Sequence, residues 1–147
     1  DLEGVLAEDL KERAKVGYRG DRILRLAQSF RDGSIDPKWL EAPERSREEV
    51  LKFVKSLHGF GDYAAGNVAM LLGFYEEVPL DSETVRHFKD YHGVSTKNVK
   101  EVSPKAKQQY KPYAPYQFLQ YWYEMIVWHE KKRGLEVHMW DFNDFSY

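Results

Sequence analysis

Cysteine is absent from the 147 residues. Within this chain that excludes a disulfide framework, a thiolate zinc site and a cysteine-ligated iron–sulfur cluster. A strong charge of either sign is also missing, because 22 Lys and Arg stand against 24 Asp and Glu. The formal net charge of −2 does not advertise nucleic-acid binding through bulk positive charge. No run of 18 apolar residues occurs, so no segment has the length of a spanning helix and a membrane is not expected as a partner. Nothing near Asp1 has the pattern of a signal peptide. Repeats and low-complexity tracts are lacking, and strand-like alternation is scarce. What is left is an all-α pattern, of a length that suits one helical domain over 1–147 with a modest core.

Apolar spacing lays out the helices. Leu2, Val5, Leu6 and Leu10 predict a short one within 1–14. Ile23, Leu24, Leu26, Ala27 and Phe30 predict a second, from Tyr18 to about Arg31, ended by Asp32-Gly33. Asp36-Pro37 opens a short turn carrying Trp39 and Leu40. Ser46 with Glu49 three residues on is a capping box, so the next helix starts at Arg47, with Val50, Phe53, Val54 and Leu57 on one face. His58-Gly59-Phe60-Gly61 stops it, since two glycines in four residues favour a tight turn. Asp62 then caps a helix whose Ala64, Ala65, Val68, Ala69, Leu71 and Leu72 form a small-residue packing face. A helix is expected over 82–91 and a polar loop over 93–103, with Pro104 opening a short helix to Tyr110. The longest helix runs from Pro115 to about Lys132, with Phe118, Leu119, Trp122, Ile126 and Val127 on its buried side. The aromatic, acidic tail over 136–147 reads as docked.

The glycine turn has a use beyond connection. At the start of the second hairpin helix the amides of Gly59, Gly61, Tyr63 and Ala64 are orphan donors, and bare glycines let an anion come close. A DNA phosphate suits that geometry. A plain helix–helix turn also uses Gly-x-Gly, and the tetrapeptide alone does not separate the two. Basic residues cluster at Arg19, Arg22 and Arg25, and again at Lys97, Lys100, Lys105, Lys107 and Lys111. Such clusters are more often solvated faces than DNA contacts. Aromatics crowd 110–147, where they fill a core or line a base pocket.

Four stretches together resemble the helix-hairpin-helix DNA glycosylase superfamily, in that family's order from about Gly17 to Trp128. They are Gly17-Tyr18-Arg19, Leu57-His58-Gly59-Phe60-Gly61 with Ala64-Ala65, Val78-Pro79-Leu80-Asp81, and Lys111-Pro112-Tyr113-Ala114-Pro115-Tyr116. The likeness is greatest to the cluster-free 8-oxoguanine and 3-methyladenine branches, since a chain without cysteine cannot hold the iron–sulfur cluster of endonuclease III-like relatives. The resemblance implies a helical glycosylase domain acting on double-stranded DNA with a damaged base, as a monomer, in the nucleus of a eukaryote or the cytoplasm of a prokaryote. Asp81 takes the place of the catalytic aspartate, whose carboxylate stabilises positive charge on the deoxyribose and orients a water. Asp is also a favoured N-cap, with Ser82-Glu83-Thr84 as its first turn, and the two roles coexist because a helix start favours negative charge.

Other positions carry over in the same way. His58, Gly59, Gly61, Tyr63, Ala64 and Glu83 match DNA-contacting positions. The carbonyls of Lys55, Leu57 and Phe60 match those that hold a K⁺ or Na⁺ at the hairpin; no other cofactor is implied. Bifunctional members place a lysine where this chain has Tyr63, so the resemblance implies a monofunctional enzyme that leaves an abasic site. Phe118 and Trp122 match the base pocket, where the 8-oxoguanine branch has glutamine and an aromatic. Gln117 is one residue out of register, which leaves room for stacking-based selection of alkylated bases. Both aromatics fit a core equally well. Family members carry several helices before Gly-Tyr-Arg; here at most one precedes it, and with no initiator Met the chain reads as part of a longer protein. The alternatives are a non-catalytic hairpin module that binds DNA and a helical protein-interaction domain.

Overall fold

The computed structural model describes residues 2–134 and 136–139, and from Trp140 onward the tail read as docked lies outside them. Among the described residues every regular element is helical. The chain divides into two compact units, Asp1–Leu72 and Gly73–Tyr147.

The first unit contains α1 (Ala7–Arg13), α2 (Gly20–Arg31), α3 (Pro37–Leu40), α4 (Arg47–Ser56) and α5 (Asp62–Leu71). Helix α1 starts later than its apolar pattern, because Gly4 takes φ of 75° and turns the chain first. Leu6 becomes the exposed N-cap rather than a core residue. Gly17–Arg19 forms a 3-10 turn leading into α2. Gly20 is buried there, and a Cβ on it would stand 2.7 Å from the Ala7 carbonyl oxygen. The absence of a side chain thus lets α1 and α2 close together.

The capping box of α4 forms as expected: the Ser46 hydroxyl accepts from the Glu49 amide and Glu49 accepts from the Ser46 amide. Val50 and Val54, one turn apart, are fully buried. Burial of that kind contributes about 1.5–3 kcal/mol for each side chain. The hairpin partner buries Ala65 and Ala69, whose size allows close approach of α4 and α5. Leu71, assigned to the same face by spacing, is 77% exposed.

The second unit contains α6 (Ser82–Asp90), α7 (Val99–Tyr110), a 3-10 turn over Lys111–Tyr113, α8 (Gln117–Arg133) and a 3-10 turn over Val137–Met139. Its core joins Phe88, Val102, Ala106, Tyr110, Tyr121, Met125 and Trp128, with Val78, Leu80, Val85 and Val94 packed against them. Two expectations are corrected here. The expected loop over 93–103 gives way to helix from Val99, because the Asn98 side chain caps the Glu101 amide. Pro104 therefore lies inside α7, in its second turn, rather than at its start. The other correction concerns α8, whose buried side is Phe118, Tyr121, Glu124, Met125 and Trp128, while Leu119 and Trp122 are exposed. Apolar residues surround that helix, so spacing alone does not choose a face.

Candidate functional site

The hairpin turn is built by its glycines. Leu57 is extended, the chain turns at His58 and Gly59, and the Phe60 amide donates to the Leu57 carbonyl at 3.1 Å. Gly59 takes φ of 87°, a conformation that an L residue adopts only with strain. A Cβ there would also stand 2.5 Å from Arg22 Cδ. Arg22 lies over the turn, its Nη1 3.5 Å from the Gly59 carbonyl and its guanidinium over the Tyr18 ring. Gly61 differs: its backbone is extended and a Cβ would meet nothing within 4 Å.

Gly61, not Asp62, is the N-cap of α5, since its carbonyl accepts the first helical bond, from the Ala65 amide. Asp62 is the first helical residue, and its carboxylate turns back to pair with Lys55 Nζ. A glycine N-cap offers no side chain to the first amides, those of Asp62, Tyr63 and Ala64. His58 is exposed and Tyr63 half-exposed on this turn. Lys55, Leu57 and Phe60 all lie in it or beside it, and the Leu57 carbonyl, already accepting from Phe60, keeps a second lone pair.

Asp81 lies in the second unit, at the N-cap of α6. Its Oδ1 accepts from the Thr84 amide at 3.0 Å and from the Thr84 hydroxyl at 3.2 Å, while its own amide donates to Thr84 Oγ1. Thr84 is fully buried, with Tyr121 Oη 2.9 Å from its hydroxyl. A threonine hydroxyl has one hydrogen. When it goes to Asp81, Tyr121 is the donor to Thr84, and a chain runs from α8 through Thr84 to the carboxylate. Oδ2 takes no hydrogen bond among the described residues, so the group is held by one oxygen and offers the other. Val78 and Leu80 pack on the core, Pro79 is buried, and the Phe118 amide donates to the Tyr75 carbonyl at 2.8 Å. The loop that delivers Asp81 is therefore anchored on both sides.

Of the other assigned positions, Glu83 directs its carboxylate to Arg86 and lies 3.7 Å from His129. That leaves its backbone amide, in the first turn of α6, as the group suited to an anion. Phe118 is 1% exposed and lies edge-on to Tyr121, which makes it core rather than pocket. Trp122 is 46% exposed and offers a ring surface.

The spacing of apolar residues did not point to a buried polar cluster on α6, α7 and α8. Glu124 Oε2 accepts from Tyr110 Oη at 2.8 Å and lies 3.0 Å from His92 Nε2 and 3.5 Å from His87 Nε2. Its other oxygen accepts from Gln120 Nε2 at 3.1 Å. Burial pushes the Glu124 carboxyl up, but bonds from Gln120 and Tyr110 and the nearness of His92 outweigh it and hold the group below the usual carboxylate range. Burial keeps His87 below the ordinary histidine range, against the opposing pull of Glu124. One signal was available: Glu124 is a lone carboxylate in the apolar run Tyr121 to Trp128.

Comparisons with protein-family models, with curated proteins and with solved structures return no match.

Proposed function

We propose that this chain is a DNA N-glycosylase of the monofunctional kind, excising a damaged base in base excision repair and leaving an abasic site. The observation that carries the reading is the Asp81 carboxylate, pinned by Thr84 through one oxygen and presenting the other. As the C1′–N bond breaks, its electron pair leaves with the base and positive charge grows on the sugar. A fixed carboxylate stabilises that charge, and its second oxygen orients the water that adds to C1′. The water's proton passes to the carboxylate and from it to solvent, and the departing base takes up one proton from solvent, so that one water is consumed. Tyr63, where a bifunctional enzyme needs an amine, supplies no Schiff base. The turn at Gly59 to Gly61 suits a backbone phosphate, with a K⁺ or Na⁺ on the carbonyls of Lys55, Leu57 and Phe60 as an aid. The exposed ring of Trp122 suits stacking on a base.

The test is a panel of duplexes carrying alkylated, oxidised or deaminated bases, incubated with the protein and then treated with alkali. Strand cleavage that depends on alkali supports the reading and names the substrate. Cleavage without alkali contradicts the reading of Tyr63. A second reading, a hairpin module that binds DNA without turnover, is favoured by the burial of Phe118, which removes one of two assigned pocket faces. Binding without excision across the panel selects it.

A further inference from the structure

The geometry points to a site for a divalent transition-metal ion, of the kind Zn²⁺ represents, at His87, His92 and Glu124. Three polar atoms converge on Glu124 Oε2: Tyr110 Oη and the Nε2 atoms of both histidines. A carboxylate oxygen has two lone-pair directions, so the third contact, His87 at 3.5 Å, is not a full hydrogen bond. Two imidazoles and a carboxylate are instead a standard donor set for zinc and its neighbours.

The distances bring three donor atoms within reach of one ion. Zinc bonds to nitrogen and oxygen are about 2.0–2.2 Å, which places tetrahedral ligand atoms about 3.3–3.5 Å apart. The two His-to-Glu separations are 3.0 and 3.5 Å, and the three ligand atoms all lie within 4.8 Å of one another. His92 follows the end of α6, where no helical bond fixes it, and is the ligand free to close the wider gap between the imidazoles. The fourth position falls to water or to the neutral Tyr110 hydroxyl, 3.4 Å from His92 Nε2.

The ligands are also held. The His87 ring is stacked on Tyr91 at 5.0 Å and flanked edge-on by Tyr121 and Trp128, and Gln120 fixes the far oxygen of Glu124. Such packing pre-organises a first shell. One support is missing: His87 Nδ1 is buried without a hydrogen-bond partner, so the affinity falls below that of a fully supported structural zinc. The partly exposed side of His92 is the entry path.

The whole chain, freed of metal with a chelator and then dialysed, is titrated with Zn²⁺ by calorimetry, beside His92→Ala, Glu124→Gln and the surface control His138→Ala. His92 is near the surface, so His92→Ala keeps the test open should Glu124→Gln fail to fold. The expected result is saturable binding of one ion, a melting temperature raised by Zn²⁺, and affinity at least about tenfold weaker in His92→Ala but unchanged in His138→Ala. Substituted Co²⁺ is expected to show the visible absorption of a four-coordinate ion. Absence of saturable binding, or equal binding by His92→Ala, overturns the proposal and leaves a metal-free hydrogen-bonded cluster. Neither outcome depends on base excision.

Discussion

Thr84 is fully buried, and its hydroxyl stands between Tyr121 and the Asp81 carboxylate. Thr84→Val keeps the shape, removes the three hydroxyl bonds, to the Asp81 carboxylate, the Asp81 amide and Tyr121, and leaves the amide-to-Oδ1 cap in place. The expected loss is about 1.5–4.5 kcal/mol in urea unfolding, from three bonds of about 0.5–1.5 kcal/mol each. The charges around Glu124 set a pH dependence of stability in the metal-free protein. His87 is held below its ordinary value of 6.5, so as pH falls past that value the unfolded chain takes up a proton that the fold resists. Glu124 is held below 4.5, and its contribution, present above that value, is lost as pH falls further. Burial and Glu124 push the Tyr110 phenol up, so stability is lost again as pH rises past the ordinary tyrosine value near 10. Urea unfolding across pH in the presence of a chelator is expected to show a decline beginning near pH 6.5, steepening below 4.5; a flat acid limb contradicts this account of the cluster.

Among the elements, the hairpin separates two uses of glycine. Gly59→Ala forces an L residue to positive φ and displaces Arg22, at an expected cost of about 1–2 kcal/mol. Gly61→Ala meets open space in an extended conformation, so stability is expected to stay within about 1 kcal/mol of the parent. If the bare turn serves a phosphate, Gly61→Ala weakens duplex binding without weakening the fold, as titration of a labelled duplex beside thermal melting will show. Much of this level was legible in the sequence. The Ser46–Glu49 box placed the start of α4 to the residue, and Pro-Leu-Asp placed Asp81 at a helix start. The expected helix from Pro104 to Tyr110 lies within α7, but its start at Val99 is hidden because Pro104 reads as a helix beginning, although Asn98 and Glu101 carry the cap. The face of α8 is only partly legible, at Phe118, because Leu119, Trp122 and Tyr123 are as apolar as the residues that the core selects. The Glu124 cluster depends on residues that three helices bring together, which no local spacing encodes.

At the scale of the molecule, the hairpin turn belongs to the unit Asp1–Leu72 and Asp81 to the unit Gly73–Tyr147. A net charge of −2 means that any affinity for DNA comes from local features, the amides of the turn and clusters such as Arg19, Arg22 and Arg25. Duplex affinity is accordingly expected to fall as salt rises, log against log, with a slope that counts only a few phosphates. A helical domain that docks on proteins shows no such slope. The most direct measurement of the central claim is single-turnover excision by Asp81→Asn beside the parent, with duplex affinity measured on the same two proteins. Loss of a fixed charge at the reacting sugar predicts a rate lower by about 10²–10³-fold or more, with affinity retained. Excision at the parent rate by Asp81→Asn contradicts the assignment of that carboxylate.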